Sequence, residues 1–356
     1  VTGLDVMTRT PRPGFAAIER LADATGIMQH SRLGVPDPDH GYCVDDNARA
    51  LILMHRRNAD PLHDPWTNVF ANFVARAWNP ERGRFRNFMS HDGVWLEQEG
   101  SQDSQGRALW SLGVTAAEAR APALRAWALD LFEEAAPPLR GIGSPRAIAF
   151  AILGAAAMLD RAPGHAGATE LAAAFATRLA RLASASSRPG WTWFERRLAY
   201  DNGRLPEALL RAGMALGRDD FTALGLATLG WLAARQIAPA GHFRPAGSVI
   251  APSDYGEPSR YDQQPLEAQA MVEACAAAFA ATGDPVWIDH GERAHAWFHG
   301  ANDGGVALGD PHSGECHDGL TPTGPNLNRG AESVLAYQLA GCAVAALRAN
   351  RRRSEP

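Results

Sequence analysis

Residues 40–51 of the 356-residue chain read HGYCVDDNARAL, placing two adjacent carboxylates, Asp45 and Asp46, at the start of an Ala- and Leu-rich segment. Two like charges side by side suit two tasks. One carboxylate can cap a helix by accepting from its free N–H groups, which lowers its pKa. The other can face a cavity, where dryness and a like-charged neighbour keep its proton on. A protonated acid for a leaving group and an ionised base for water are what hydrolysis requires. Asp103, Asp201 and Asp262 are the candidate partners for this pair, since each also lies within about a turn of a helix start. A gap of roughly 6.5–9.5 Å between two such carboxyl groups fits an inverting mechanism.

A repeat positions these acids. Runs such as SPRAIAFAILGAAAML, EAQAMVEACAAAFAA and ESVLAYQLAGCAVAAL are apolar nearly all round, as helices buried on every side are. Between them lie one-sided helices: Leu171, Phe175, Leu179 and Leu182 form one stripe, and Val69, Phe73 and Ala77 another. The buried helices begin alike, with Arg or Glu, then Ala or Ser. These starts fall at Arg49, Arg107, Arg146, Glu207, Glu267 and Glu332, spaced 58, 39, 61, 60 and 65 residues apart. Ser144-Pro145, Pro206 and Pro265 punctuate three of them. Six inner and six outer helices predict an all-α fold, an (α/α)6 toroid over residues 1–350, with a solvated basic tail at 351–356. The alternative is an open α-solenoid. In the closed ring the inner helices are parallel, so their positive dipole ends and the preceding loops share one funnel.

The funnel loops read as a sugar site. Tyr200-Asp201 and Tyr261-Asp262 pair an aromatic with an acid, and GRFRNFMSHDGVWLEQEG and RPGWTWFERRLAYDN are rich in aromatics. Flat apolar faces stack on pyranose rings while polar groups fix hydroxyls. The candidate catalytic residues are therefore Asp45, Asp46, Asp103, Asp201 and Asp262. The candidate substrate-binding residues are His40, Tyr42, Asn47, Arg107, Trp193, Tyr200, Tyr261, Gln263 and Glu332, with Trp95 and Phe243 as further stacking candidates. Each has a plainer role: an Asp before a helix caps it, a first-turn Glu offsets the dipole, and an aromatic can plug the core. Glu97, Glu99 and Glu195, in the aromatic loops, are weaker acids for the same task.

Composition removes other functions. The net charge is −5 and no basic stripe precedes the tail, which argues against nucleic acid. All 34 basic residues are arginine, which excludes lysine Schiff bases and the P-loop clamp. Cys43, Cys275, Cys316 and Cys342 are widely spaced and imply no disulfide framework. No segment reads as a signal peptide or membrane span, so a cytoplasmic location is expected. No cofactor or metal is implied, and oligomeric state leaves no mark.

The toroid pattern resembles the (α/α)6-barrel glycoside hydrolases and their relatives. More narrowly, GYCVDDNARAL, YDNGRLPEAL, DQQPLEA and NRGAES resemble a bacterial family found beside mannoside phosphorylases and often labelled glycosyltransferase-like. That resemblance implies carbohydrate chemistry. No nucleotide-sugar Rossmann fingerprint accompanies it. The leading expectation is a glycosidase acting on a small carbohydrate substrate by a two-carboxylate mechanism. Three alternatives stand beside it. One is a sugar epimerase or isomerase using histidines such as His40, His242 or His317. Another is a zinc toroid using Cys316 and His317, and the last is a carbohydrate-binding protein without activity.

Overall fold

The computed structural model describes residues 12–57, 64–249 and 253–354. Twelve α-helices carry these segments: α1 (Ala16–Leu21), α2 (Val44–Arg57), α3 (Asp64–Ala77), α4 (Gln102–Glu118), α5 (Pro122–Ala135) and α6 (Pro145–Arg161), then α7 (Ala166–Ser186), α8 (Arg204–Leu216), α9 (Asp219–Arg235), α10 (Pro265–Thr282), α11 (Val286–Ala296) and α12 (Ala331–Ser354). The even-numbered helices are the six expected from the repeat. Each packs on the next, α2 on α4 and so on to α12, which returns to α2 and closes the ring. The odd-numbered helices lie outside. The fold is all-α, an (α/α)6 toroid.

Local chemistry explains the two kinds of helix. The outer α7 buries Ala168, Leu171, Ala172, Phe175, Ala176, Leu179 and Ala183, a stripe of helical period that faces the inner ring. The inner α6 buries Arg146 through Ala156 without a break. Inner neighbours approach closely where side chains vanish. A Cβ on Gly113 would lie 2.1 Å from the Gly154 carbonyl oxygen, and one on Gly106 would lie 2.3 Å from that of Ala147. Backbone contact between α4 and α6 therefore requires glycine at these positions, and Ala at either would push the two helices apart.

The two ends of the ring are built differently. At the C-terminal ends of the inner helices the turns are short, as at 162–165, 217–218 and 283–285. Gly217 and Gly283 end α8 and α10 there with φ of 63° and 69°, the left-handed cap that glycine takes without strain. At the N-terminal ends the chain makes long loops, 78–101, 187–203 and 297–330. Two-residue antiparallel pairings brace them, among them Tyr42–Cys43 against Phe88–Met89, strands that lie forty-five residues apart in the chain.

One boundary differs from expectation. The basic tail expected from residue 351 continues α12 to Ser354. Arg351 there binds Asp289 and Glu292 on α11, and Arg348 donates to Glu292 at 2.8 Å. Acidic partners on the neighbouring helix hold what the charge pattern alone reads as a solvated end. Among the described residues, no helix is long and apolar enough to cross a membrane.

Candidate active site

The first turns of the inner helices meet through their side chains. Arg49 on α2 bridges Asp46 (2.7 Å) and Glu332 on α12 (2.6 Å). Arg107 on α4 bridges Asp45 (3.2 Å) and Asp201, just before α8 (3.3 Å). Arg146 on α6 donates to the Asn202 side chain (3.3 Å), and the Asn202 amide donates to Glu267 on α10 (3.0 Å). Five of the six repeating start residues thus join a belt of polar contacts around one mouth of the ring, and the sixth, Glu207, pairs with Arg204 instead.

Above the belt lies a cavity of about 490 Å³, lined by the carboxylates Asp45, Asp46, Asp103, Asp318 and Glu332, by Arg49 and Arg107, and by His30, Phe88 and Tyr200. The adjacent aspartates are resolved into different surroundings. Asp45 faces the cavity and accepts from the Arg107 Nε–H. Asp46 is buried, accepting from the Cys43 thiol (3.2 Å) and from Arg49. Burial is the largest influence on Asp46 and raises its pKa, with Arg49 pulling the other way. Neither aspartate caps α2. Asn87, reaching in from the 78–101 loop, accepts from the Val44 (3.0 Å) and Asp45 (3.3 Å) N–H groups instead. The capping expectation is corrected by a residue more than forty positions away, which frees both aspartates for other contacts.

Asp103 accepts from the Ser144 hydroxyl at 2.7 Å, and its pKa is raised, first by burial and also by the charge of Asp45, against the Ser144 hydrogen bond and Arg107. Asp318 accepts from the Gly330 N–H at 2.7 Å and is likewise raised by burial. Tyr200 lies at the wall with the Arg146 guanidinium 5.4 Å from its ring, and Arg146 also pairs with Glu195.

Several expected site residues lie elsewhere. Asp201 is buried beneath the cavity, its carboxylate between Arg107 and Arg204. Asp262 is exposed and outside the cavity lining. Tyr42 is fully buried, its hydroxyl donating to Asp23 at 2.5 Å and its ring stacked on His91. Asn47 is buried and holds the Ile27 N–H and the Cys43 carbonyl. Trp193 is buried against Phe194 and Trp231, and Phe243 is buried too. Gln263 is buried on Trp297 and Asp303, a carboxylate that also binds Arg244, Arg260 and His242. Tyr261 is half-buried beside Arg260. His40 is exposed on the rim, edge-on to His30. Trp95 is half-buried edge-on to Phe73. Glu97 accepts from the Asn87 and Phe88 N–H groups and shapes their hairpin, and Glu99 pairs with Arg84. His317 bonds the Asn326 carbonyl, and no group of three or more His, Cys, Asp or Glu among the described residues could hold a metal ion.

Among the lining residues that the helix starts do not point to are His30, Asn87, Phe88 and Asp318. Asp318 lies thirteen residues ahead of α12, beyond the single turn in which acids were sought. Its one signal is a carboxylate within the polar loop ECHDGLTPTG.

No family model and no curated protein sequence matches the chain. Solved structures do. A sugar epimerase from a ruminal bacterium superposes with a TM-score of 0.71 at 14% identity, covering 96% of each chain. A D-mannose isomerase superposes with a TM-score of 0.65 at 11% identity, over 92% of this chain and 93% of that one. An inactive variant of an α-1,6-mannanase of Salegentibacter sp. HEL1_6, in complex with α-1,6-mannotriose, superposes with a TM-score of 0.58 at 11% identity, over 93% and 96%. This chain shares with them the (α/α)6 toroid fold.

Proposed function

We propose that the protein is a carbohydrate-active enzyme that hydrolyses a glycosidic bond in the cavity at the N-terminal mouth of the ring. The observation that carries this reading is the contrast between Asp103 and Asp45. They share the cavity and are both half-buried, but burial and the charge of Asp45 bias Asp103 toward its protonated form, whereas Asp45 is ion-paired with Arg107. Two carboxyl groups in such different surroundings can divide the roles of acid and base. Asp103 gives its proton to the departing glycosidic oxygen as that bond breaks. Asp45 takes a proton from the water whose oxygen bonds to the anomeric carbon. Asp46 and Glu332, joined by Arg49, offer acceptors to sugar hydroxyls, and Tyr200 offers a ring face. Asp201 acts through Arg107. The related mannanase lends support, since its inactive variant carries Asp-to-Asn changes at two consecutive positions, and consecutive aspartates open α2 here.

A second reading, a sugar epimerase or isomerase, is favoured by the higher TM-scores of the epimerase and isomerase structures. Its acid–base histidine would be His30, because His40, His242 and His317 lie outside the cavity lining. Product analysis by NMR on neutral oligosaccharides separates the two. Hydrolysis yields new reducing ends in step with substrate loss. An isomerised sugar with no gain in reducing ends would overturn hydrolysis in favour of the second reading.

A further inference from the structure

The charges of the cavity also select among sugars. Five carboxylates line it against two arginines, and both guanidinium groups are already committed. Arg49 donates from one nitrogen to Asp46 and from another to Glu332. Arg107 donates to Asp45 and Asp201, and the Phe150 ring lies 3.9 Å from its guanidinium carbon. Their side chains keep only 7% and 3% of their surface exposed. His30 is the other lining group able to carry positive charge. Even with Asp46, Asp103 and Asp318 all protonated, the two remaining lining carboxylates, Asp45 and Glu332, match the two arginines and leave no spare positive charge. Ionising any of the three makes the lining negative.

We infer that the substrate is a sugar without carboxylate, sulfate or phosphate groups: a neutral oligosaccharide, with amino sugars tolerated. The inference rests on the cavity being the carbohydrate site. A uronate needs an open arginine fork, because bidentate pairing is what repays its desolvation. Here every fork is closed by a protein carboxylate, so a uronate would enter against like charge in a partly dry space. An ammonium group meets the opposite field. Glu332 is the gatekeeper in this scheme. Its side chain is 42% exposed, and it accepts from the Arg49 nitrogen that Asp46 does not use.

Calorimetric titration of the full chain with three probes tests this: a mannose disaccharide, a glucosamine disaccharide and a mannuronate disaccharide. The neutral and amino probes are expected to bind at least ~30-fold more tightly than the uronate, a gap that narrows as salt is raised from low to high. Glu332→Gln, which opens one nitrogen of Arg49, should narrow the gap about tenfold by improving uronate binding. A uronate that binds as tightly as the neutral probe overturns this inference and leaves the carbohydrate reading standing. Failure of all three to bind at millimolar concentration overturns both.

Discussion

The two mouths of the ring hold two cavities, and the proposed chemistry lies in the smaller. The cavity at the C-terminal ends of the inner helices measures about 640 Å³, against about 490 Å³ at the N-terminal ends. Seven alanines from α4, α6, α10 and α12 line it, beside eight charged residues. Its charges balance, with Arg12, Arg56, Arg161 and Arg211 facing Glu118, Asp160, Glu207 and Glu273. The upper cavity is smaller and unbalanced, with acids in excess and its arginines fully engaged. The lower space is what remains when small side chains line the ring beneath short turns. The upper one is assembled by long loops, which can vary without disturbing the barrel. Size marks where packing is incomplete, whereas charge imbalance marks where protons can be moved.

Substitutions at the two ends should separate accordingly. Asp45→Asn and Asp103→Asn should each lower kcat by roughly 10²–10⁴-fold with the fold retained by circular dichroism. Glu118→Gln in the lower cavity should leave turnover within about twofold. Equal losses at both ends would erase the distinction.

The next effect is on stability. Burial raises the Glu267 carboxyl to about 7, against the pull of its Asn202 hydrogen bonds. A raised carboxyl favours folding fully below its unfolded pKa, near 4.5, and that contribution is lost as pH climbs toward 7. Stability should therefore fall across this window by up to roughly 3 kcal/mol, and Glu267→Gln should flatten the fall. Denaturant midpoints measured at intervals from pH 4.5 to pH 8 check this; an unchanged slope in the variant would assign the fall to other groups.

Asp201→Asn should cost about tenfold in kcat, as a change one contact removed from the reacting atoms, and should move the acidic limb of the pH–rate profile to lower pH. The reason is that Arg107 would then serve Asp45 without a competing carboxylate. A fall in rate with no movement of the limb would make Asp201 merely structural. The smallest effect belongs to the lower cavity. Ala157→Leu should fill part of it and add about 1 kcal/mol of stability with unchanged kcat, read from denaturant midpoints and a parallel assay.

The same contrast shows what a sequence displays. The six inner starts were legible because Arg or Glu followed by a small residue recurs at each; the structure turns five of them into the polar belt, while Glu207 pairs with Arg204 and lines the lower cavity. Asp45, Asp46, Asp103, Arg107, Tyr200 and Glu332 were legible because a cavity at the helix N-termini must be lined from residues near those starts. Trp193, Tyr42 and Gln263 were misplaced because a loop aromatic or amide reads alike whether it faces a cavity or plugs the layer beneath it. Asn87 and Asp318 were hidden because each reaches its place through a long loop, so separation along the chain says nothing of separation in space. The lower cavity was hidden as well: an all-round apolar, alanine-rich helix does not reveal whether its far end is filled.

Crystals of the Asp103→Asn variant soaked with a neutral oligosaccharide decide whether the upper cavity is the sugar site. A sugar ring is expected in the upper cavity, with its glycosidic oxygen within hydrogen-bonding reach of residue 103 and its anomeric carbon open to a water held by Asp45. A sugar bound in the alanine-lined cavity at the other mouth, with the upper one empty, would contradict it.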